Sequence, residues 1–86
     1  VYSGPVAATA FATLRSVADR IRRVVLIGPC HRVALRGVAV PDAKSFSTPL
    51  GDVPIDVEAA RSAGIPASEA AHRLEHSLEV EVPFLQ

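Results

Sequence analysis

The stretch Arg23-Val24-Val25-Leu26-Ile27-Gly28-Pro29-Cys30-His31-Arg32 constrains this chain more than any other. Four branched apolar residues in a row, Val24 to Ile27, predict a strand buried on both faces, because a strand with one wet face alternates instead. Gly28 and Pro29 end it: proline has no N–H for a ladder, and glycine lets the chain turn sharply. A thiol and an imidazole follow at once. In open α/β sheets, ligands bind outside the carboxyl ends of strands, so His31 is the first candidate for chemistry.

The rest of the chain supplies elements to surround such a strand. Ser3 can cap a helix with Pro5 in its first turn, where a missing N–H costs nothing. Phe11, Leu14, Ala18 and Ile21 form an apolar stripe expected to lie on a sheet. Gly37 to Val40 reads as a short second strand ended by Pro41. Ser45 to Ile55 reads as two extended pieces around Pro49-Leu50-Gly51-Asp52, an edge or an excursion from the main sheet. Asp56 caps a helix from Val57 to about Ala63, and Gly64 ends it. Ser68 can cap another, within Ala67 to Arg73. From Leu78 onward, strand and helix periods fit equally, and Pro83 opposes the interior of either.

With 86 residues, the chain is short for one domain and too short for two. Its 49% hydrophobic content excludes disorder. No apolar run approaches a membrane span, and no signal-peptide layout opens the sequence. With a single cysteine, which cannot form an internal disulfide, this predicts a cytoplasmic setting. Residues 1–44 hold seven Lys or Arg against two Asp, and residues 45–86 hold two Arg against seven acids. The charges cancel, so the overall basic field of a nucleic-acid binder is missing.

Four segments, read together, carry a resemblance. Tyr2-Ser3-Gly4-Pro5, Leu26-Ile27-Gly28-Pro29-Cys30-His31, Ser47-Thr48-Pro49-Leu50-Gly51-Asp52, and Glu75-His76-Ser77-Leu78-Glu79-Val80 with Pro83-Phe84 resemble successive motifs of the Memo family. That family, also called AmmeMemoRadiSam system protein B, is similar in fold to the LigB-type extradiol dioxygenases. The resemblance implies a three-layer α/β/α domain with a mixed sheet, of which residues 1–86 are an N-terminal part cut at both ends. It implies a site for iron or copper, held by a histidine preceding Val1, by His31, and by a residue beyond Gln86. Such a metal would act on O₂ or a substrate oxygen, and the piece alone would be inactive, needing the remainder of its domain. It also implies a helix starting near Ser77.

Residue by residue, the resemblance places His31 on the second metal-binding histidine of a Gly-Pro-Ser-His motif, with Cys30 where serine is usual. Neighbours in extended chain point to opposite sides, so thiol and imidazole should not converge, and Cys30 reads as a small buried replacement for serine. His76 falls in the Glu-His-Ser motif, near the site, orienting a ligand or facing substrate; a helix-cap role is its structural alternative. Tyr2 and Ser3 fall beside the metal pocket, where helix amides offer an anion site, and capping explains them equally. Glu79 is either an orienting carboxylate or solvated helix surface. His72-Arg73-Leu74-Glu75-His76 fits H-x-x-E-H, a zinc-peptidase pattern with Glu75 as base, but it needs one continuous helix. The partner is a small-molecule substrate or a peptide. A second reading is a non-catalytic binding protein that uses the same pocket for an anionic or phosphorylated partner.

Overall fold

The computed structural model describes residues 2–86. In chain order it contains helix α1 (Gly4–Ala12), a 3₁₀ helix (Arg15–Arg20), strands β1 (Ser45–Thr48) and β2 (Gly51–Pro54), and helices α2 (Val57–Ser62), α3 (Glu69–His72) and α4 (Val82–Leu85). Helices and strands mix as expected of an α/β chain, and the sheet is a single antiparallel pair.

Pro5 sits in the first turn of α1, and the Ser3 carbonyl accepts the Ala7 N–H at 2.9 Å, but the Ser3 side chain makes no capping bond. Near the end of α1, the Thr13 hydroxyl donates to the Ala10 carbonyl at 2.7 Å. The chain then tightens into the 3₁₀ helix. That change of pitch, from about 3.6 to 3.0 residues per turn, breaks the expected apolar stripe. Leu14 and Ile21 are exposed. Phe11 keeps a partner: its ring stacks on Phe84 of α4, centroids 5.4 Å apart and 10° from parallel.

The strand expected at Arg23–Ile27 does not form. The segment is non-helical and unpaired, with Val25 79% and Ile27 78% exposed. A strand exists only through the ladder it joins, and a parallel neighbour needs a crossover. The described residues offer this segment no such neighbour. The second expected strand, Gly37–Val40, is reduced to one parallel bridge between Val40 and Ala67. There Val40 donates to the Pro66 carbonyl and Ser68 donates to that of Val40, both at 3.0 Å.

Where local chemistry suffices, expectation and structure agree. β1 and β2 pair from Ser45↔Pro54 to Thr48↔Gly51, turning through Pro49-Leu50. The Thr48 hydroxyl closes that turn, accepting the Leu50 N–H at 3.1 Å and donating to the Gly51 carbonyl at 2.8 Å. Asp56 caps α2 by accepting the Ala59 N–H at 3.0 Å, and Gly64 follows with φ +70°, a conformation that suits glycine. Ser68 caps α3 by accepting the Ala71 N–H at 3.3 Å. The helix expected from near Ser77 begins instead at Val82; residues 77–81 are successive turns, and Pro83 occupies the first turn of α4.

Among the described residues, near-complete burial reaches only Ala71 (3% exposed) and Val82 (2%). The radius of gyration is 13.8 Å, against roughly 12 Å for a close-packed domain of this length. Among the described residues, no helix is long and apolar enough to cross a membrane.

Candidate functional site

Two distant pieces of chain cross at the end of the Gly28-Pro29-Cys30-His31 segment. Gly28 makes the approach possible. A Cβ placed on it would lie 2.8 Å from Leu78 Cδ2 and 2.9 Å from Ser77 Oγ, too close for any side chain without displacement. Ser77 Oγ donates to the Pro29 carbonyl at 2.8 Å. With these contacts fixed, His31 falls opposite Glu75.

Glu75 is the hub of the crossing. One carboxylate oxygen, Oε2, accepts the His31 backbone N–H at 2.6 Å. The other, Oε1, accepts the backbone N–H groups of His76 at 3.1 Å and Ser77 at 3.2 Å. His31 Nδ1 stands 3.2 Å from both oxygens. These donors hold the Glu75 carboxyl down at about 2 from an ordinary 4.5. The His31 backbone N–H is the largest cause and the His31 ring the next; partial burial opposes them. The Glu75 side chain is only 7% exposed, whereas the His31 side chain is 63% exposed.

The other expected site residues lie around this crossing or away from it. Cys30 is half-buried and its Sγ contacts the carbonyls of Val33 at 3.3 Å and Ala71 at 3.5 Å. Thiol and imidazole therefore have different partners, as the alternation of an extended chain predicts. His76 reaches Glu75 through its backbone, and its side chain is exposed. Tyr2 and Ser3 are exposed ahead of α1. Glu79 is exposed in the turns before α4 and borders a shallow cleft of about 340 Å³ with Phe46, His72, Glu75 and Leu78; His31 does not line it.

The H-x-x-E-H pattern does not become a zinc site. His72 is the last residue of α3 and His76 lies beyond its end. His72 Nε2 donates to the Ala39 carbonyl at 3.2 Å, which ties α3 to the Val40 bridge. Sequence reasoning weighed Glu75 only as the base of that pattern. Its position at the head of Glu75-His76-Ser77, one residue before two consecutive free amides, was the available signal for what it does here.

As a place for a metal, the crossing fits one ligand. Imidazole Nε2 of His31 has no partner among the described residues, its ring is exposed, and its other nitrogen is held by a carboxylate, the usual support of a metal-bound histidine. A complete donor set is absent from the described residues, where no three His, Cys, Asp or Glu side chains gather.

The class defined by this geometry is a mixed helix-and-hairpin chain that presents one braced histidine at a crossing of two motif segments. A family profile described as "Memo-like protein" matches residues 1–86, and the chain belongs to the Memo-like family. A MEMO1 family protein of Methanococcoides burtonii is 47% identical over the whole chain, which covers 32% of that relative. One from Methanothermobacter thermautotrophicus is 46% identical over all of this chain and 32% of its own length. One from Thermoplasma volcanium is 38% identical, with 33% of its length covered. The chain thus spans about a third of the length of the curated relatives it matches. No solved structure matches the chain.

Proposed function

We propose that this chain supplies His31 as a ligand to a redox-capable metal, iron or copper, in a Memo-like protein built on a three-layer α/β/α domain. The observation that carries the reading is the exposed His31 ring, braced at Nδ1 and open at Nε2. In this reading the remaining ligands would lie outside residues 1–86. Such a metal would supply Lewis-acid and redox chemistry toward O₂ or a substrate oxygen, by analogy with LigB-type dioxygenases. His76, beside the hub and exposed, would face substrate; Tyr2, Ser3 and Cys30 would contribute to the pocket wall.

Metal content by mass spectrometry, on anaerobically purified protein of the relatives' length carrying this sequence, tests the reading. Near-stoichiometric iron or copper that disappears with His31→Ala is the expected result. A metal-free wild type, or a variant that keeps its metal, overturns it and leaves recognition of an anionic or phosphorylated partner as the function to test.

A further inference from the structure

We infer that Glu75 is the positioning residue of His31: it fixes the imidazole in the Nδ1–H tautomer and so turns a lone pair at Nε2 toward solvent. This rests on the metal-ligand reading for its purpose, but not for its geometry. The argument begins with proton inventory. An ionised carboxylate only accepts hydrogen bonds, so a ring nitrogen 3.2 Å from both oxygens of Glu75 must carry a proton. In a neutral imidazole the lone pair is then left on Nε2.

The carboxylate is itself held. The amides of His31, His76 and Ser77 all donate to it, so it can neither rotate away nor take up a proton without losing charge-assisted bonds. The His31 backbone and its own ring bind the same group, which fixes the ring relative to the chain. Gly28, with no room for a Cβ, and the Ser77–Pro29 hydrogen bond keep the two segments at that distance.

The other two histidines are internal references. His72 donates from Nε2 to the Ala39 carbonyl and therefore has the opposite tautomer. His76 is exposed and has no side-chain hydrogen bond among the described residues, so it reports the solvent equilibrium.

Long-range ¹H–¹⁵N correlation spectra of chelator-treated, metal-free protein at mildly alkaline pH read the protonation of each ring nitrogen directly. The expected result is a protonated Nδ1 and unprotonated Nε2 for His31, the reverse for His72, and an averaged pattern for His76. Glu75→Gln keeps one oxygen, which can still accept the His76 and Ser77 amides, but turns an NH2 donor toward His31. It should remove the Nδ1–H preference of His31 and leave His72 in place, which certifies the fold. A wild-type His31 protonated at Nε2, or a His31 pattern unmoved by Glu75→Gln, overturns the inference.

Metal titration separates this from the functional reading. With Fe²⁺ as probe on protein of the relatives' length, Glu75→Gln should weaken binding about 10–100-fold. If wild type binds neither Fe²⁺ nor Cu²⁺ while the spectra are as expected, the metal reading fails and the positioning inference stands. If Fe²⁺ binds at His31 equally well in both proteins and the His31 spectrum is unmoved by Glu75→Gln, the positioning inference fails and the metal reading stands.

Discussion

Val24 to Ile27 and Gly28 to His31 are adjacent in the chain and opposite in how they are held. The first is apolar, extended and largely exposed, with no ladder among the described residues. The second is polar at its end and fastened to Glu75 and Ser77 by hydrogen bonds of 2.6 to 3.2 Å. Directional bonds from a few side chains can fix a crossing of two segments. Branched apolar residues gain little until a partner surface removes them from water. The difference lies in what each kind of residue needs from the remainder of the molecule.

The largest expected effect comes from breaking the crossing sterically. Gly28→Val places two methyl groups where one Cβ already meets Ser77 and Leu78 within 2.9 Å. Overpacking of this kind costs roughly 1–3 kcal/mol, read as a lower urea midpoint. It should also release the Ser77 amide to hydrogen exchange. An unchanged midpoint would mean that the crossing does not hold the chain.

Acid should break the same crossing electrostatically. The folded Glu75 carboxyl titrates at about 2, below its ordinary 4.5, so its contribution is fully present above about pH 4.5 and disappears as pH falls toward 2. Asp56 shifts in the same direction, first through the Ala59 amide and then through Arg23, whose guanidinium lies 2.6 Å from its carboxylate. Protection of the His76 and Ser77 amides, taken relative to the intrinsic exchange rate at each pH, should therefore fall as pH drops below 4.5 toward 2. Glu75→Gln should flatten that dependence at these two amides while leaving the one at Ala59.

How far the sequence could be read follows the same division. The hairpin, the α2 cap at Asp56 and the α3 cap at Ser68 each depend on residues within ten positions, and all were legible. The end of α1 was not, because the Thr13 hydroxyl at its C-terminus and the switch to a 3₁₀ helix leave no mark in apolar periodicity. At the candidate site His31 was singled out from its place after Gly28-Pro29. Glu75, 44 residues later, stood at the head of a family motif but was given a role only as the base of the zinc-peptidase pattern. Its partnership with His31 needs the crossing, which depends on the missing side chain of Gly28.

Ser68→Ala sharpens the comparison from the local side. It removes the hydroxyl that accepts the N–H of Ala71, one of the two most buried of the described residues. Losing such a cap costs about 1 kcal/mol, less than the Gly28 clash, and circular dichroism should show a small helical loss with the Glu75 crossing intact. A loss as large as that of Gly28→Val would mean that α3, and not the crossing, holds the Glu75 segment.

The smallest effect is expected where the apolar sequence is strongest. Val25 is 79% exposed, and substitutions at such surface positions stay within about 0.5 kcal/mol. Val25→Lys in the 86-residue chain should therefore leave the urea midpoint where it is. Hydrophobicity alone predicts the reverse, since a charge placed in a strand covered on both faces would cost several kcal/mol. The same substitution in a protein of the relatives' length decides between the two. Neutral in the short chain and severely destabilising in the long one, it would make Val24 to Ile27 a strand whose partners lie outside these residues, as the proposed three-layer domain requires. Neutral in both, it would remove that domain from the proposal while leaving the His31–Glu75 crossing untouched, because none of its hydrogen bonds depends on a sheet.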